Sequence, residues 1–111
     1  LAYDEELAHR VRELLATDEE FSEVAMFGGL AFLLAGNMTV AVSSRGGLMA
    51  RVGAAAYEDA LARPHVEPMV IRGRPMTGWI RVMPDGLRTR RQLSAWVERA
   101  VAFTRTLPGK G

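Results

Sequence analysis

The spacing of apolar positions changes several times along the chain, and each change marks an element. Between about Asp4 and Ala16, the residues Tyr3, Leu7, Val11, Leu14 and Leu15 fall at helical spacing, with acids in the first turn, where the helix dipole favours them. "TDEEFSE" interrupts this stripe. From Val24 to Val52 apolar runs alternate with turn signals, "AGN" at 35–37 and "SSRGG" at 43–47. Consecutive antiparallel strands read this way, and they are expected over about 24–34, 38–43 and 48–52. Strict alternation directs Met38, Val40 and Val42 to one sheet face and Thr39, Ala41 and Ser43 to the other. "GAAAYEDALAR", 53–63, predicts a short second helix closed by Pro64. "EPMVIRGRPMTGWIRVMPDG" predicts two further strands, about 68–72 and 78–83, around a glycine–proline connection. Thr89 and Gln92 match a capping box, and the stripe that follows from Leu93 to Leu107 is stopped by Pro108 and Gly109. The order α-β-β-β-α-β-β-α predicts an α+β fold in two layers, a mainly antiparallel sheet with helices packed on it. At 111 residues the chain is expected to be a single domain, 1–111.

The run "MFGGLAFLLAGNM" raises the first functional question, because glycines among apolar residues either cradle a phosphate or shape a sheet. A phosphate loop needs G-x-x-x-x-G-K-[ST] between a strand and a helix, and a dinucleotide fingerprint needs G-x-G-x-x-G. Gly28, Gly29 and Gly36 fit neither, and the residues after them alternate like a strand. They are read as structural glycines: Gly28-Gly29 as a bulge or close backbone approach, Gly36-Asn37 as a tight turn at positive φ.

Four segments in this order, "AYDEELAHRVRELL", "MFGGLAFLLAGNM", "ARVGAAAYEDAL" and "RPMTGWIRV", with a last helix running into "VAFTRTLP", resemble the TfoX N-terminal domain family. Met26-Phe27-Gly28-Gly29 together with Pro75-Met76-Gly78-Trp79 is the specific part of the likeness. The resemblance implies a secretion-chaperone-like antiparallel sheet and a tendency to dimerise. Family members joined to a C-terminal domain regulate natural competence together with a transcription activator, and this chain is expected to be a stand-alone, single-domain member. The implied partners are a second copy and a transcription-related protein.

Composition narrows the chemistry. With no cysteine, thiolate nucleophiles, disulfides and cysteine–zinc sites are excluded. A formal net charge of +1, no apolar run near the length of a bilayer span and no basic-then-apolar leader pattern lead us to expect a cytoplasmic protein without a membrane partner. The charge is unevenly placed. Residues 1–23 hold eight acids against Arg10 and Arg12, whereas the remainder holds twelve basic residues against five acids. An acidic helix beside basic surface is the expected arrangement; an acidic tail or a basic binding face is the alternative.

His9 and His65 lie on different elements without ligand spacing and are read as surface residues. Asp18, Glu19, Glu20 and Glu23 lack a calcium-loop pattern, and Ser43 and Ser44 lack a nucleophile elbow. No catalytic residue, cofactor or metal is therefore assigned. Among Arg72, Arg74, Arg81, Arg88, Arg90 and Arg91, the first two flank Gly73 beside Met76 and Trp79. Arg72, Arg74, Met76 and Trp79 form the candidate ligand or partner surface, suited to a phosphate, a carboxylate or an acidic helix; the alternative is that these arginines are solvated strand and loop residues or pair with the acidic first helix. Direct nucleic-acid binding is not expected, since aromatic content is only 7% and no RRM or KH motif is present. The six methionines read as adaptable core filler, with a partner groove or homodimer surface as the alternative. A non-catalytic protein-interaction module is the functional expectation, and a small anionic-ligand-binding protein or cryptic enzyme is the alternative.

Overall fold

The computed structural model describes residues 3–17, 20–26 and 28–110. Asp4 caps the first helix, α1 (Glu5–Leu15), by accepting from the Leu7 N–H at 3.1 Å. Leu7, Ala8, Val11 and Leu15 are its buried stripe. Four strands follow, β1 (Phe21–Met26), β2 (Gly29–Leu34), β3 (Asn37–Val42) and β4 (Leu48–Arg51), then α2 (Tyr57–Leu61), β5 (Val66–Ile71) and β6 (Arg74–Val82). A 3-10 turn at Pro84–Gly86 leads into α3 (Arg90–Thr104). All six strands form one antiparallel sheet in the order β1-β2-β3-β4-β6-β5. The α+β fold with helices on an antiparallel sheet is the one expected.

The core lies between the helices and one sheet face. Leu30, Phe32, Val40, Val42, Leu48, Ala50, Ile80 and Val82 meet Leu7, Val11, Leu15, Leu93, Trp96 and Val97 there. The capping box of α3 is formed as expected, Thr89 and Gln92 each accepting the other's backbone N–H at 3.0 Å. Arg10 ties α1 to the approach to α3, donating to the Leu87 carbonyl at 2.7 Å.

The segment expected as one strand, 24–34, is divided in two. Met26 pairs with Gly29, which ends β1 and starts β2 within this run, and Gly28 takes φ 76°. Of the two glycine roles expected here, the close approach holds and the bulge does not. A Cβ on Gly29 would lie 2.5 Å from the Val42 carbonyl oxygen. The next turn consists of Ala35 (φ 49°) and Gly36 (φ 84°), with Asn37 already in β3 and donating to the Pro108 carbonyl at 2.9 Å.

A bulge falls in β3 instead. Phe32 pairs with Val40 and Leu33 with Met38, leaving Thr39 unopposed. The expected alternation therefore breaks: Val40 and Val42 enter the core, while Met38 turns to the other face. The buried Thr39 hydroxyl donates to Thr104 Oγ1 at 3.2 Å, and Thr104 in turn donates to the Ala100 carbonyl at 3.0 Å. This pair docks α3 on the bulge. The second helix is shorter than the expected 53–63, because Val52 and Gly53 both donate to the Gly78 carbonyl and hold the chain against β6 before α2 begins.

Candidate functional site

The core cluster draws on one face of the sheet, and strand register defines the other. Register places Val24, Ala31, Ala41, Met49, Arg81 and Glu67 in one row across that face. Beside this row Leu33 pairs with Met38, and Arg51 pairs with Trp79. Met26 shares the side of Val24 by alternation. At the centre of the face stand the small residues Ala31 and Ala41, 0% and 4% exposed. Met26, Leu33, Met38, Met49 and Trp79 remain half-buried around it, with Val24 41% exposed at the β1 edge.

None of the six methionines is among the buried core residues. This corrects the core-filler reading. The physical reason is that the helix-facing positions are taken by compact β-branched and aromatic residues, and the Thr39 bulge sends Met38 outward. Met69, Met76 and Met83 lie on β5, on β6 and just beyond β6.

Of the expected Arg72, Arg74, Met76 and Trp79 surface, the first three lie at the turn end of the β5–β6 hairpin and Trp79 lies farther along β6. Arg72 (φ 53°) and Gly73 (φ 79°) form the two-residue turn of the β5–β6 hairpin, in the left-handed conformation that this turn type requires. Arg74 and Met76 follow on β6 and are exposed. Pro68 pairs with Ile80 but Val70 with Pro75, so four residues, Met76 to Trp79, oppose Met69 alone. This bulge lies between the hairpin tip and the stretch of β6 that pairs with β4, where Trp79 faces Arg51. The Arg51 guanidinium lies 5.6 Å from the centroids of both Trp79 and Phe103, the second of which is carried by α3. Arg51 and Phe103 escaped the sequence reading; period-two alternation through β4 gives the first, and nothing local gives the second.

The other arginines disperse. Arg81 donates to the Gly46 carbonyl at 2.8 Å, and its partial burial, with Arg45 nearby, lowers its pKa. Arg88 pairs with Asp85 at 2.6 Å, and Arg90 and Arg91 open α3 at the surface. Arg12 of the acidic helix makes two hydrogen bonds to Glu23, one of 2.9 Å, which holds the Glu23 carboxyl below the usual carboxylate range.

His9 is exposed and 3.5 Å from Glu13, and the Ser43 hydroxyl accepts from the Arg45 N–H at 3.0 Å. Asp18 and Glu19 lie outside the described residues. Among the described residues no three histidines or acids converge as metal ligands, and no helix is long and apolar enough to cross a membrane. Two depressions flank Phe21, of about 160 and about 210 Å³, both under the roughly 300 Å³ at which drug-sized ligands begin to be enclosed. A wider one of about 490 Å³ lies open between His65, Glu67 and Asp85.

No curated protein and no solved structure matches the chain. The family model of the TfoX N-terminal domain matches residues 13–104, which runs from within α1 through all six strands to the last residue of α3. With that match spanning nearly the whole sheet and the helices that cover it, the chain belongs to the TfoX N-terminal domain family.

Proposed function

We propose that this chain is a non-catalytic, regulatory protein-interaction module that pairs with a second copy of itself through the sheet face opposite its core. The observation that supports this reading is the placement of Met26, Met38 and Met49 with Leu33 and Trp79 around an Ala31–Ala41 centre, opposite the core. Methionine adapts its shape to a partner, and methionine, tryptophan and arginine are enriched at interfaces. Six strands about 4.8 Å apart and about 20 Å long present roughly 580 Å² per copy, so two faces together reach the ~1,000 Å² of a specific interface. Arg51 and Arg81 on the β4–β6 side give the rim its charge.

Sedimentation or light scattering at high micromolar concentration tests this. The expected particle has twice the 12.2 kDa monomer mass, and Met49→Glu, which buries a carboxylate at the centre of the face, returns it to the monomer with helix content unchanged. A wild-type monomer under those conditions, or a Met49→Glu dimer, refutes the reading.

A further inference from the structure

Among the described residues four large apolar side chains are exposed, and three of them sit on the β5–β6 hairpin: Val70 at 47%, Ile71 at 44% and Met76 at 38%. Val70 pairs with Pro75 and Ile71 with Arg74, so the first two residues project from opposite faces of the ribbon. The tip is thus apolar on both sides. Arg72 and Arg74 stand at its end, exposed, with no carboxylate paired to either among the described residues. The twelve residues 68–79 contain no acid.

Strand addition does not fit this ribbon. Met83 donates to the His65 carbonyl at 2.7 Å, so the bonded pairs alternate through 65/83 and 67/81, and the Pro68 nitrogen faces the free edge. Ile71 and Arg74 close the turn, which leaves the Pro75 nitrogen facing outward on the other strand. Both edges lack an N–H where a docking strand needs one. A flat partner would cover one apolar side and leave the other wet. What suits a convex finger, apolar on both sides and cationic at its end, is a medium that surrounds it.

We propose that the β5–β6 hairpin tip is a lipid-interaction site that inserts Val70, Ile71 and Met76 into the headgroup layer of an anionic bilayer, with Arg72 and Arg74 on lipid phosphates. Apolar side chains supply interfacial partitioning, and each arginine adds attraction to the negative surface. Two cations are too few phosphate contacts for tight duplex binding, whereas they suffice to bias an apolar tip toward anionic lipid. Arg72 occupies a left-handed position where asparagine or glycine is favoured, so the guanidinium is kept there against backbone preference. This site is separate from the proposed pairing face and does not depend on dimerisation.

Flotation with vesicles of phosphatidylglycerol and phosphatidylcholine, compared with phosphatidylcholine alone, tests the proposal. The wild-type chain is expected to float with the anionic vesicles and to be released by salt. Arg72→Gln with Arg74→Gln should lower the partition coefficient about 30-fold, the effect of two charges at such a surface. Val70→Ser with Ile71→Ser should weaken binding even at low salt, and unchanged thermal unfolding shows that both variants remain folded. Failure to float with pure phosphatidylglycerol vesicles at low salt overturns the proposal, as does wild-type binding by the arginine variant. Retardation of duplex DNA that is lost in the arginine variant, without vesicle binding, overturns it in favour of nucleic acid.

Discussion

The Thr39 bulge makes a prediction about two neighbouring residues that plain alternation would treat alike. Val40 is fully buried between Phe32 and Ala50, whereas Met38 is half-buried on the other face. Replacing Val40 with Ala removes two methyl groups, about 1.6 kcal/mol of transfer free energy. A residual cavity of about 50 Å³ adds about 1.2 kcal/mol, for a total near 3 kcal/mol. For a chain of this length, 1 kcal/mol shifts the melting temperature by about 4 °C, so Val40→Ala should melt about 12 °C lower. Met38→Ala gives up contacts on one side only and should cost about 1 kcal/mol or less. Circular dichroism melts at two protein concentrations, high and low, separate this intrinsic cost from any loss of pairing between copies. If Met38→Ala proves as costly as Val40→Ala in the dilute sample, the assignment of faces is wrong.

Gly29→Ala places a methyl group 2.5 Å from the Val42 carbonyl oxygen, inside the sheet, where neither backbone can retreat cheaply. A loss of about 2–4 kcal/mol in denaturant unfolding is expected, and a change below about 0.5 kcal/mol would contradict the close approach. The depressed Glu23 carboxyl makes a signed pH prediction. Arg12 favours the charged form, so its contribution is present above the ordinary glutamate pKa and is lost as pH falls through the lowered folded value. Glu23→Gln should be less stable than wild type near neutrality by under about 1 kcal/mol, given the exposure of the pair, with the gap closing in acid. A gap that persists unchanged to low pH would show that the ion pair is not its cause.

Much of the architecture could be read from the chain because local chemistry states it outright. The Thr89–Gln92 box, the α1 stripe and the glycine-marked turns each depend on residues within one turn of each other. The bulge at Thr39 was hidden because it is enforced from outside the strand, by Thr104 on α3, a contact spanning 65 residues. The register shift opposite Met69 was hidden for the same reason: Gly78 is held by Val52 and Gly53 from another part of the chain. Arg72, Arg74, Met76 and Trp79 are close in sequence, and the shift at 76–79 falls between the first two and the tryptophan. The apolar face was invisible for a further reason, that three methionines look alike whether they point inward or outward until the strand register is known.

The outward placement of those methionines has a redox consequence. A chain without cysteine has thioethers as its only oxidisable sulfur, and half of them, Met26, Met38 and Met49, border the alanine centre. Sulfoxide formation would set strong oxygen dipoles into that patch, leaving the helix-covered interior untouched, and methionine sulfoxide reductases could restore it. For these three methionines, peroxide-sensitive chemistry lies on one side of the sheet and the packed interior on the other.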